Sequence, residues 1–304
     1  MTASSTRRTT AAHSRTAAVG AIAVAGALIL TGCGDQTKGS DSGSSTSSST
    51  APLADKLPQS IRDKGVIKVG SDIAYAPVEF YENGNEVKGI DPDLAAALGK
   101  ELGVKFTFVN TTFDGIIPAL LSKRFDVIMS AMSVTEEREK QISFLSYFNA
   151  GTSILVKKGN PQAIQGLDDL CGKTVALQKG TTQEEVAKAQ QAKCGDQQLT
   201  LRTFDRDTEA LLQVKSGAAV ADMNDFPVAA YNAQTSGGGN DFEVVGEQID
   251  AGPYGIGLRK EDAELRTALQ AALKKIVENG EYDKVLAKWN VTTGALKTAE
   301  VSGV

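Results

Sequence analysis

Short strand patterns alternate with amphipathic helix patterns along most of the chain, and this alternation limits the possible folds more than any other feature. Val66–Gly70 is a brief apolar run that ends in glycine, as is typical of a buried strand. The segment 87–104 favours a helix, in which Asp91 can cap the N-terminus, Pro92 suits the first helical position and Gly103 ends it. The repetition predicts an α/β fold with helices on both faces of its sheets.

The loops after the predicted strands are the best candidates for a functional site. Further strands are predicted at 104–109, 126–129, 153–157, 174–177, 199–204 and 219–223. Further helices are predicted at 114–123, 182–193, 208–216, 261–279 and 281–289. At the start of the helix at 182–193, Thr182 and Glu185 could form a capping box. Because functional residues of open α/β sheets lie beyond the carboxyl ends of strands, attention falls on the loops after Gly70, Met129, Leu177 and Met223.

Charge and histidine content exclude several classes of function. Residues 1–32 hold three arginines, no acidic residue and the only histidine, so the rest has 29 of the 32 basic residues against 37 acidic ones. That net charge of −8 gives no electrostatic footprint for nucleic acid. Without histidine, Ser-His-Asp, Cys-His and zinc-hydrolase sites are excluded, although carboxylate or lysine catalysis stays possible. We expect no cofactor and no metal.

The N-terminus has the features of an export signal. Three arginines precede an apolar run, Ala17–Leu30, which is shorter than the ~20 residues that span a bilayer. Leu30–Cys33 resembles a lipoprotein cleavage box, which implies that 1–32 is a signal peptide and that Cys33 carries lipid. An ordinary secretory signal with an incidental cysteine is the alternative. The Ser-rich segment 33–56 would then be a flexible linker to the folded body.

Two further cysteines, Cys171 and Cys194, lie within the predicted folded body. Outside the cytoplasm such a pair is expected to form a disulfide rather than a metal or redox site. Closing the loop between them would stabilise the fold by roughly 3 kcal/mol on the chain-entropy account.

Six motifs occur in an order and spacing that match one protein family. They are Gly70–Phe80, Gly89–Leu94, Phe113–Leu120, Ser130–Arg138, Gln178–Gln183 and Asn224–Val228. Together they resemble the polar-amino-acid branch of the solute-binding proteins that serve ABC importers, which includes histidine-, lysine/arginine/ornithine- and glutamine-binding proteins. The resemblance covers about 65–289, nearly the whole folded body.

The resemblance implies a periplasmic-binding-protein-like fold of two α/β lobes joined by a two-strand hinge. The chain would cross between the lobes near Ala150–Gly151 and Ala251–Tyr254. Lobe 1 would then consist of 57–150 plus 254–304, and lobe 2 of 151–253. Closure of the lobes on one free amino acid would be the mechanism.

The resemblance also implies which residues bind the two charged ends of that amino acid. Arg138 is expected to hold the α-carboxylate, assisted by backbone N–H groups at Ser133 and Thr182, because a guanidinium and a helix N-terminus both suit an anion. Asp225 and the region of Ser130 are expected to bind the α-ammonium. Arg138 could instead form a surface ion pair, and Asp225 could merely cap a turn.

A second group of residues is expected to contact the ligand side chain. The resemblance places Tyr75 and Phe113 on either side of its aliphatic part, although both could be core aromatics. It places Asp72 where basic-amino-acid binders meet the distal cation of the ligand. Gln178 is neutral and polar where basic-ligand binders can be apolar and glutamine binders are cationic, and Ala131 replaces a serine that is common in the basic-ligand branch. Asp72 suits a distal cation, but glutamine binders also carry an acid there, so the ligand is expected to be either basic or glutamine.

The resemblance of Leu30–Cys33 to a lipoprotein cleavage box implies a lipid-anchored protein on the extracytoplasmic face of the cell membrane, in a Gram-positive cell. Its expected partners are the free amino acid, a membrane permease and the ATPase of that permease, and we expect a monomer. One alternative is an exported enzyme similar to cyclohexadienyl dehydratases, in which Glu79 would be the acid or base. Another is the ligand-sensing subunit of a receptor.

Overall fold

The computed structural model describes residues 51–296 and 298–304, so the predicted signal peptide, Cys33 and the linker up to residue 50 lie outside the described residues. The helices of the described part are α1 (Gln59–Lys64), α2 (Ile90–Leu102), α3 (Ile116–Leu121), α4 (Glu136–Glu139), α5 (Thr182–Lys193), α6 (Asp207–Ser216), α7 (Phe226–Thr235), α8 (Ala263–Glu278) and α9 (Glu281–Lys288). Its strands are β1 (Val66–Ser71), β2 (Ala74–Tyr75), β3 (Glu79–Glu82), β4 (Glu86–Lys88), β5 (Lys105–Asn110), β6 (Val127–Ile128), β7 (Ser143–Lys157), β8 (Thr174–Gln178), β9 (Thr200–Phe204), β10 (Ala221–Asp225), β11 (Phe242–Leu258) and β12 (Val301–Ser302).

The predicted α/β alternation is confirmed, and two long antiparallel strands connect its halves. In the main sheet the strand order is β5-β1-β6-β11-β7-β10-β8-β9, with β12 paired to β7. β7 and β11 pair from Ser143 with Leu258 to Lys157 with Phe242, and register shifts interrupt the pairing between Val245 and Gly255. One half of this ladder therefore lies beside β6, β1 and β5, and the other half beside β10, β8 and β9.

The buried apolar side chains divide in the same way as the sheet. One set comes from residues 57–150 and 254–299, joined by Val228 from elsewhere in the chain. The other set comes from residues 154–242. The lobe limits given above stay a prediction, which this division supports.

Helix α2 begins later than the sequence pattern predicts, and Asp91 does not cap it. Residues Glu86–Lys88 pair with β3, and the N-cap position is taken by Gly89 with φ 137°. A Cβ at Gly89 would lie 2.1 Å from the carbonyl oxygen of Val78, so this close approach requires glycine. Asp91 is fully buried and accepts a hydrogen bond from the Tyr147 hydroxyl at 2.7 Å.

The C-terminal helices cover lobe 1. Along α8 the buried residues recur every three or four positions, which gives one continuous apolar stripe: Leu265, Ala268, Leu269, Ala272, Leu273 and Ile276. This stripe packs against α2 and α9. No helix within residues 51–296 or 298–304 has the length and apolar character needed to cross a membrane.

We predict that Cys171 and Cys194 form a disulfide in the exported protein. Their Cα atoms lie 5.3 Å apart, within the range that a disulfide spans. Peptide mapping of the full chain without reductant should recover the two cysteine peptides as one linked species, and reduction should separate them. Cys171→Ser should lower the free energy of unfolding by roughly 3 kcal/mol. Two unlinked peptides before reduction would contradict the prediction.

Candidate functional site

Four strand ends bring the predicted site residues to one cleft between the lobes. β1 leads into Asp72 and β6 into Ser130, while β8 ends at Gln178 and β10 at Asp225. Parallel pairing of β1 with β6 and of β8 with β10 puts each pair of ends at the same sheet edge. All the residues predicted to bind the ligand line this cleft, together with Glu79, Thr181 and Gln183: Asp72, Tyr75, Phe113, Ser130, Ala131, Ser133, Arg138, Gln178, Thr182 and Asp225.

Arg138 forms the cationic part of the cleft. Thr135 caps the short helix α4 by accepting a hydrogen bond from the Arg138 backbone N–H, which points the side chain inward. Arg138 is 8% exposed, and its guanidinium lies 5.4 Å from the ring centre of Phe113. It donates to the carbonyl oxygens of Ser133 at 2.7 Å and Gly180 at 3.2 Å, so it already spans the two lobes. Burial lowers the pKa of Arg138 from its ordinary value.

Asp225 is the principal anion that lobe 2 contributes to the cleft. Its Oδ2 accepts a hydrogen bond from the Tyr75 hydroxyl at 2.8 Å, and its Oδ1 accepts one from Gln183 at 3.0 Å. Its backbone N–H donates in turn to the Tyr75 hydroxyl oxygen at 2.9 Å. Burial raises the pKa of Asp225 to about 6, against the lowering effect of these hydrogen bonds and of Arg138.

Asp72 and Gln178 meet across the far end of the cleft. Gln178 donates from Nε2 to Asp72 Oδ2 at 2.5 Å and to the carbonyl oxygen of Asp205 at 2.9 Å. Asp72 Oδ1 is buried and has no hydrogen-bond partner among the described residues. Burial raises the pKa of Asp72 to about 6. The pair thus offers one unused carboxylate oxygen to a group with a hydrogen to donate.

The N-terminus of α5 enters the cleft, and its N-cap is one residue earlier than predicted, without the reciprocal bond of a capping box. Thr181, rather than Thr182, is the N-cap and accepts from the Glu184 backbone N–H at 3.2 Å. Glu184, rather than Glu185, accepts from the Gly180 backbone N–H at 2.7 Å. Thr182 lies in the first turn, and its hydroxyl is 3.5 Å from that of Ser133 on the other lobe.

Three lining residues were not predicted to bind ligand. Gln183 and Thr181 belong to the motif that includes Gln178 and Thr182, so the motif itself could have indicated them. Glu79 was considered only as an acid or base for an enzyme; it is 1% exposed and accepts from the Ser130 hydroxyl at 2.9 Å. In the part of the chain that the structure describes, no group of three or more cysteine, histidine or acidic side chains could hold a metal ion.

Comparison with known proteins identifies the family. The sequence pattern of bacterial extracellular solute-binding proteins, family 3, matches residues 67–292. The chain belongs to this family. Its predicted family and its two-lobed fold are therefore confirmed.

Individual relatives of this solute-binding protein are binding proteins for amino acids. The histidine-binding periplasmic protein of Escherichia coli K12 is 33% identical over 248 residues, which are 80% of this chain and 92% of that protein. An ancestral arginine-binding protein solved with arginine is 39% identical, with a TM-score of 0.70 over 74% of this chain and 98% of that one. An ancestral amino-acid-binding protein described as a precursor of cyclohexadienyl dehydratase is 42% identical, with a TM-score of 0.69 over 76% and 97%.

We predict that Tyr75→Phe destabilises the solute-binding protein by about 1–3 kcal/mol. The change leaves the buried Oδ2 and backbone N–H of Asp225 without the hydroxyl that satisfies both, and an unsatisfied buried group costs about that much. Urea unfolding should show the loss. Tyr81→Phe, at a tyrosine that is 41% exposed, is the matched control and should change stability little. Equal effects of the two changes would refute a role for the Tyr75 hydroxyl.

Proposed function

We propose that this protein captures a polar amino acid, basic or glutamine, between its lobes and delivers it to an ABC importer. The observation that carries the proposal is the placement of Arg138 on lobe 1 and Asp225 on lobe 2, both buried and both facing one cleft. A zwitterion matches this pair, because the guanidinium suits its carboxylate and the aspartate suits its ammonium. A ligand that bridges the lobes stabilises the closed form, which is how capture follows from binding.

The charges in the cleft favour a basic amino acid over glutamine. Asp72 and Asp225 line the cleft against a single cation among the described lining residues, Arg138. A neutral zwitterion leaves this acidic excess unchanged, whereas a basic side chain reduces it by one charge. The free oxygen of Asp72 is placed to receive that charge. The arginine-binding and histidine-binding relatives support the same ligand class.

The other parts of the proposal concern attachment and partners. We infer that residues 1–32 are removed, that Cys33 carries lipid and that 33–56 tethers the lobes to the extracytoplasmic face of a Gram-positive membrane. Two or more acyl chains give stable anchoring where one chain does not. Lobe 1 would consist of residues 57–150 plus 254–304, and lobe 2 of residues 151–253. The protein would act as a monomer and deliver its ligand to a permease and the ATPase of that permease. The Cys171–Cys194 disulfide suits an extracytoplasmic location.

We also propose that the protein binds without catalysis. The relative described as a precursor of cyclohexadienyl dehydratase is itself described as an amino-acid-binding protein. Glu79, the carboxylic acid that the enzyme alternative would use, already accepts a hydrogen bond from Ser130 and is enclosed by protein. Incubation of the purified protein with cyclohexadienyl acids should leave them unchanged, and turnover above the buffer rate would overturn this part of the proposal.

A thermal-unfolding screen against the common amino acids and ornithine tests the proposed function. Carried-over ligand is first removed by unfolding and dialysis. A true ligand at ~1,000 times its dissociation constant adds about 4 kcal/mol, which raises the melting temperature by several degrees at this size. Arg138→Gln should abolish every such shift, whereas Lys140→Gln, at an exposed cation two residues away, should preserve them. The absence of any shift with the wild-type protein would refute amino-acid capture.

The pH dependence of binding tests the role of Asp72. A basic ligand needs the charged form of Asp72, so its affinity should fall as the pH drops through about 6, by up to tenfold per pH unit. The pKa of Asp225 is also raised to about 6, but its protonation should weaken the binding of arginine and glutamine equally, because both carry the α-ammonium that Asp225 is proposed to contact. The ratio of arginine to glutamine affinity, measured by calorimetry from pH 8 to pH 4.5, should therefore decline. Asp72→Asn should make the ratio independent of pH, and a constant ratio in the wild type would exclude a distal-cation role.

A further inference from the structure

Two carboxyl groups are buried together behind one wall of the cleft. Glu79 lies at the start of β3 and is 1% exposed, and Asp91 lies in the first turn of α2 and is fully buried. Neither forms an ion pair with a lysine or arginine of the described residues. Both groups must therefore be accommodated by hydrogen bonds and by their protonation.

A chain of hydrogen bonds connects the two carboxyl groups to the ligand cleft. The Asp72 backbone N–H donates to the Ser130 hydroxyl oxygen, and that hydroxyl donates to Glu79 Oε1, both at 2.9 Å. On the other side, Asp91 Oδ2 accepts from the Ala131 backbone N–H at 3.4 Å. Ala131 has φ 46°, a left-handed conformation that is unfavourable for alanine and has to be held by its surroundings. The turn at Ser130–Ala131 is thus fixed from behind by Glu79 and Asp91.

One oxygen of the pair lacks an ordinary donor. No N–H or hydroxyl of the described residues reaches Glu79 Oε2, which is buried. The Asp91 backbone N–H donates to the carbonyl oxygen of Val78, the residue before Glu79, at 3.0 Å, and the consecutive residues Ser130 and Ala131 donate to the two carboxyl groups. The two carboxyl groups therefore lie behind the same turn, where a proton on Glu79 is the available donor to the Asp91 carboxylate. The Tyr147 hydroxyl donates to Asp91 Oδ1 at 2.7 Å and completes the surroundings of the pair.

The charged groups of the described residues that act most strongly on Glu79 are acidic, although Arg138 lines the same cleft. They are Asp91 on α2, Asp72 after β1 and Asp225 on β10, while the neutral tyrosines Tyr147 and Tyr254 complete the enclosure. Burial, and then repulsion by Asp91, raise the pKa of Glu79 well above its ordinary value. Burial also raises the pKa of Asp91, to about 7. Two adjacent carboxylates in such a site do not both ionise at neutral pH.

We propose that Glu79 and Asp91 hold one proton between them, and that this hydrogen bond makes Glu79 a positioning residue for the Ser130–Ala131 wall rather than a charged contact for the ligand. The proposal rests on the function proposed above. With the proton on Glu79, the remaining negative charge of the pair lies on Asp91 behind the wall, and the lining groups Asp72 and Asp225 face Arg138, the single cation among the described lining residues. The lining groups then carry an excess of one negative charge. The side chain of a basic amino acid carries one positive charge. The shared proton therefore sets the net charge of the lining groups to the value that such a side chain neutralises.

The first test needs no ligand and compares the full wild-type chain with Glu79→Gln. The amide reproduces the protonated carboxyl, since it donates to Asp91 and accepts from Ser130, but it does not titrate. A raised pKa in the folded state means that wild-type stability is lost as the pH rises above the ordinary glutamate range toward the folded value. The melting temperature of Glu79→Gln relative to wild type should therefore increase by several degrees from pH 5 to pH 9.

Glu82→Gln, at an exposed carboxylate on the same strand, is the matched control and should show no such trend. A wild-type to Glu79→Gln difference that stays constant from pH 5 to pH 9 would overturn the shared proton.

The second test measures the affinity for L-arginine by calorimetry at pH 7. Glu79→Ala should weaken binding about tenfold or more, and Glu79→Gln should recover most of that loss, because positioning needs the hydrogen bonds and not the charge. A loss with Glu79→Gln as large as with Glu79→Ala would mean that Glu79 acts as a charge, and would overturn the positioning role. If the wild-type chain binds no amino acid, the proposed function fails, while the ligand-free test still decides whether the proton is shared.

Discussion

The antiparallel pairing of β7 with β11 is the interaction on which both lobes depend. Each strand begins in one lobe and ends in the other, so the chain crosses within a hydrogen-bonded ladder instead of a free linker. The register shifts fall at the crossing, near the pair Ala150 and Gly252, where the ladder is least regular. A Cβ at Gly151 would lie 3.0 Å from the Ile249 carbonyl oxygen, so the two strands approach closely there. Such a connection restricts lobe movement to bending about the crossing.

Because the lobes can move about this hinge, the environment of the buried charges Arg138 and Asp225 depends on whether the cleft is open or closed. Arg138 and Asp225 lie on opposite lobes, and closure removes both from water, which costs free energy unless each finds partners. In the described structure, neutral groups supply those partners: carbonyl oxygens for Arg138, and Tyr75 and Gln183 for Asp225. In the function proposed above, an amino acid brings full charges of the matching sign to the same two groups. The gain from charge-assisted contacts over neutral ones is the differential binding that favours the closed lobes.

The sequence predicts the strand ends of this fold better than its longest strands. The ends of β1, β6, β8 and β10 follow from short apolar runs that stop at polar residues, and they place the cleft. The first two thirds of β7, residues 143–152, were not predicted as a strand. This segment is buried on both faces, so the alternation of polar and apolar residues that indicates a strand is absent. The short hairpin strands β2, β3 and β4 were missed because they have only two to four residues each.

Two acidic residues beside the predicted site have roles that the sequence did not indicate, because local sequence rules allow more than one role for each of them. Asp91 satisfies the rule for a helix cap, but its hydrogen-bond partner is Tyr147, which lies on β7 and is distant in sequence. The buried Glu79 depends in the same way on Ser130, 51 positions along the chain. In both cases the side chain is a carboxylate whose role is decided by residues distant in sequence. Composition and spacing can indicate that an acid is present, but they cannot indicate whether it is charged.

The start of α5 shows how tertiary contacts select between such solutions. Thr181 with Glu184 and Thr182 with Glu185 both fit a capping box. The Thr181 hydroxyl also donates to the Gln178 carbonyl oxygen at 2.7 Å, and Gly180 takes φ 76° to allow the turn. These contacts hold Thr181 in the N-cap position, so Thr182 lies in the first helical turn, at the cleft. A cap satisfies only some of the first four N–H groups of a helix. With Thr181 as the cap, the N–H groups near Thr182 are therefore free for the contact that we propose with the carboxylate of an amino acid.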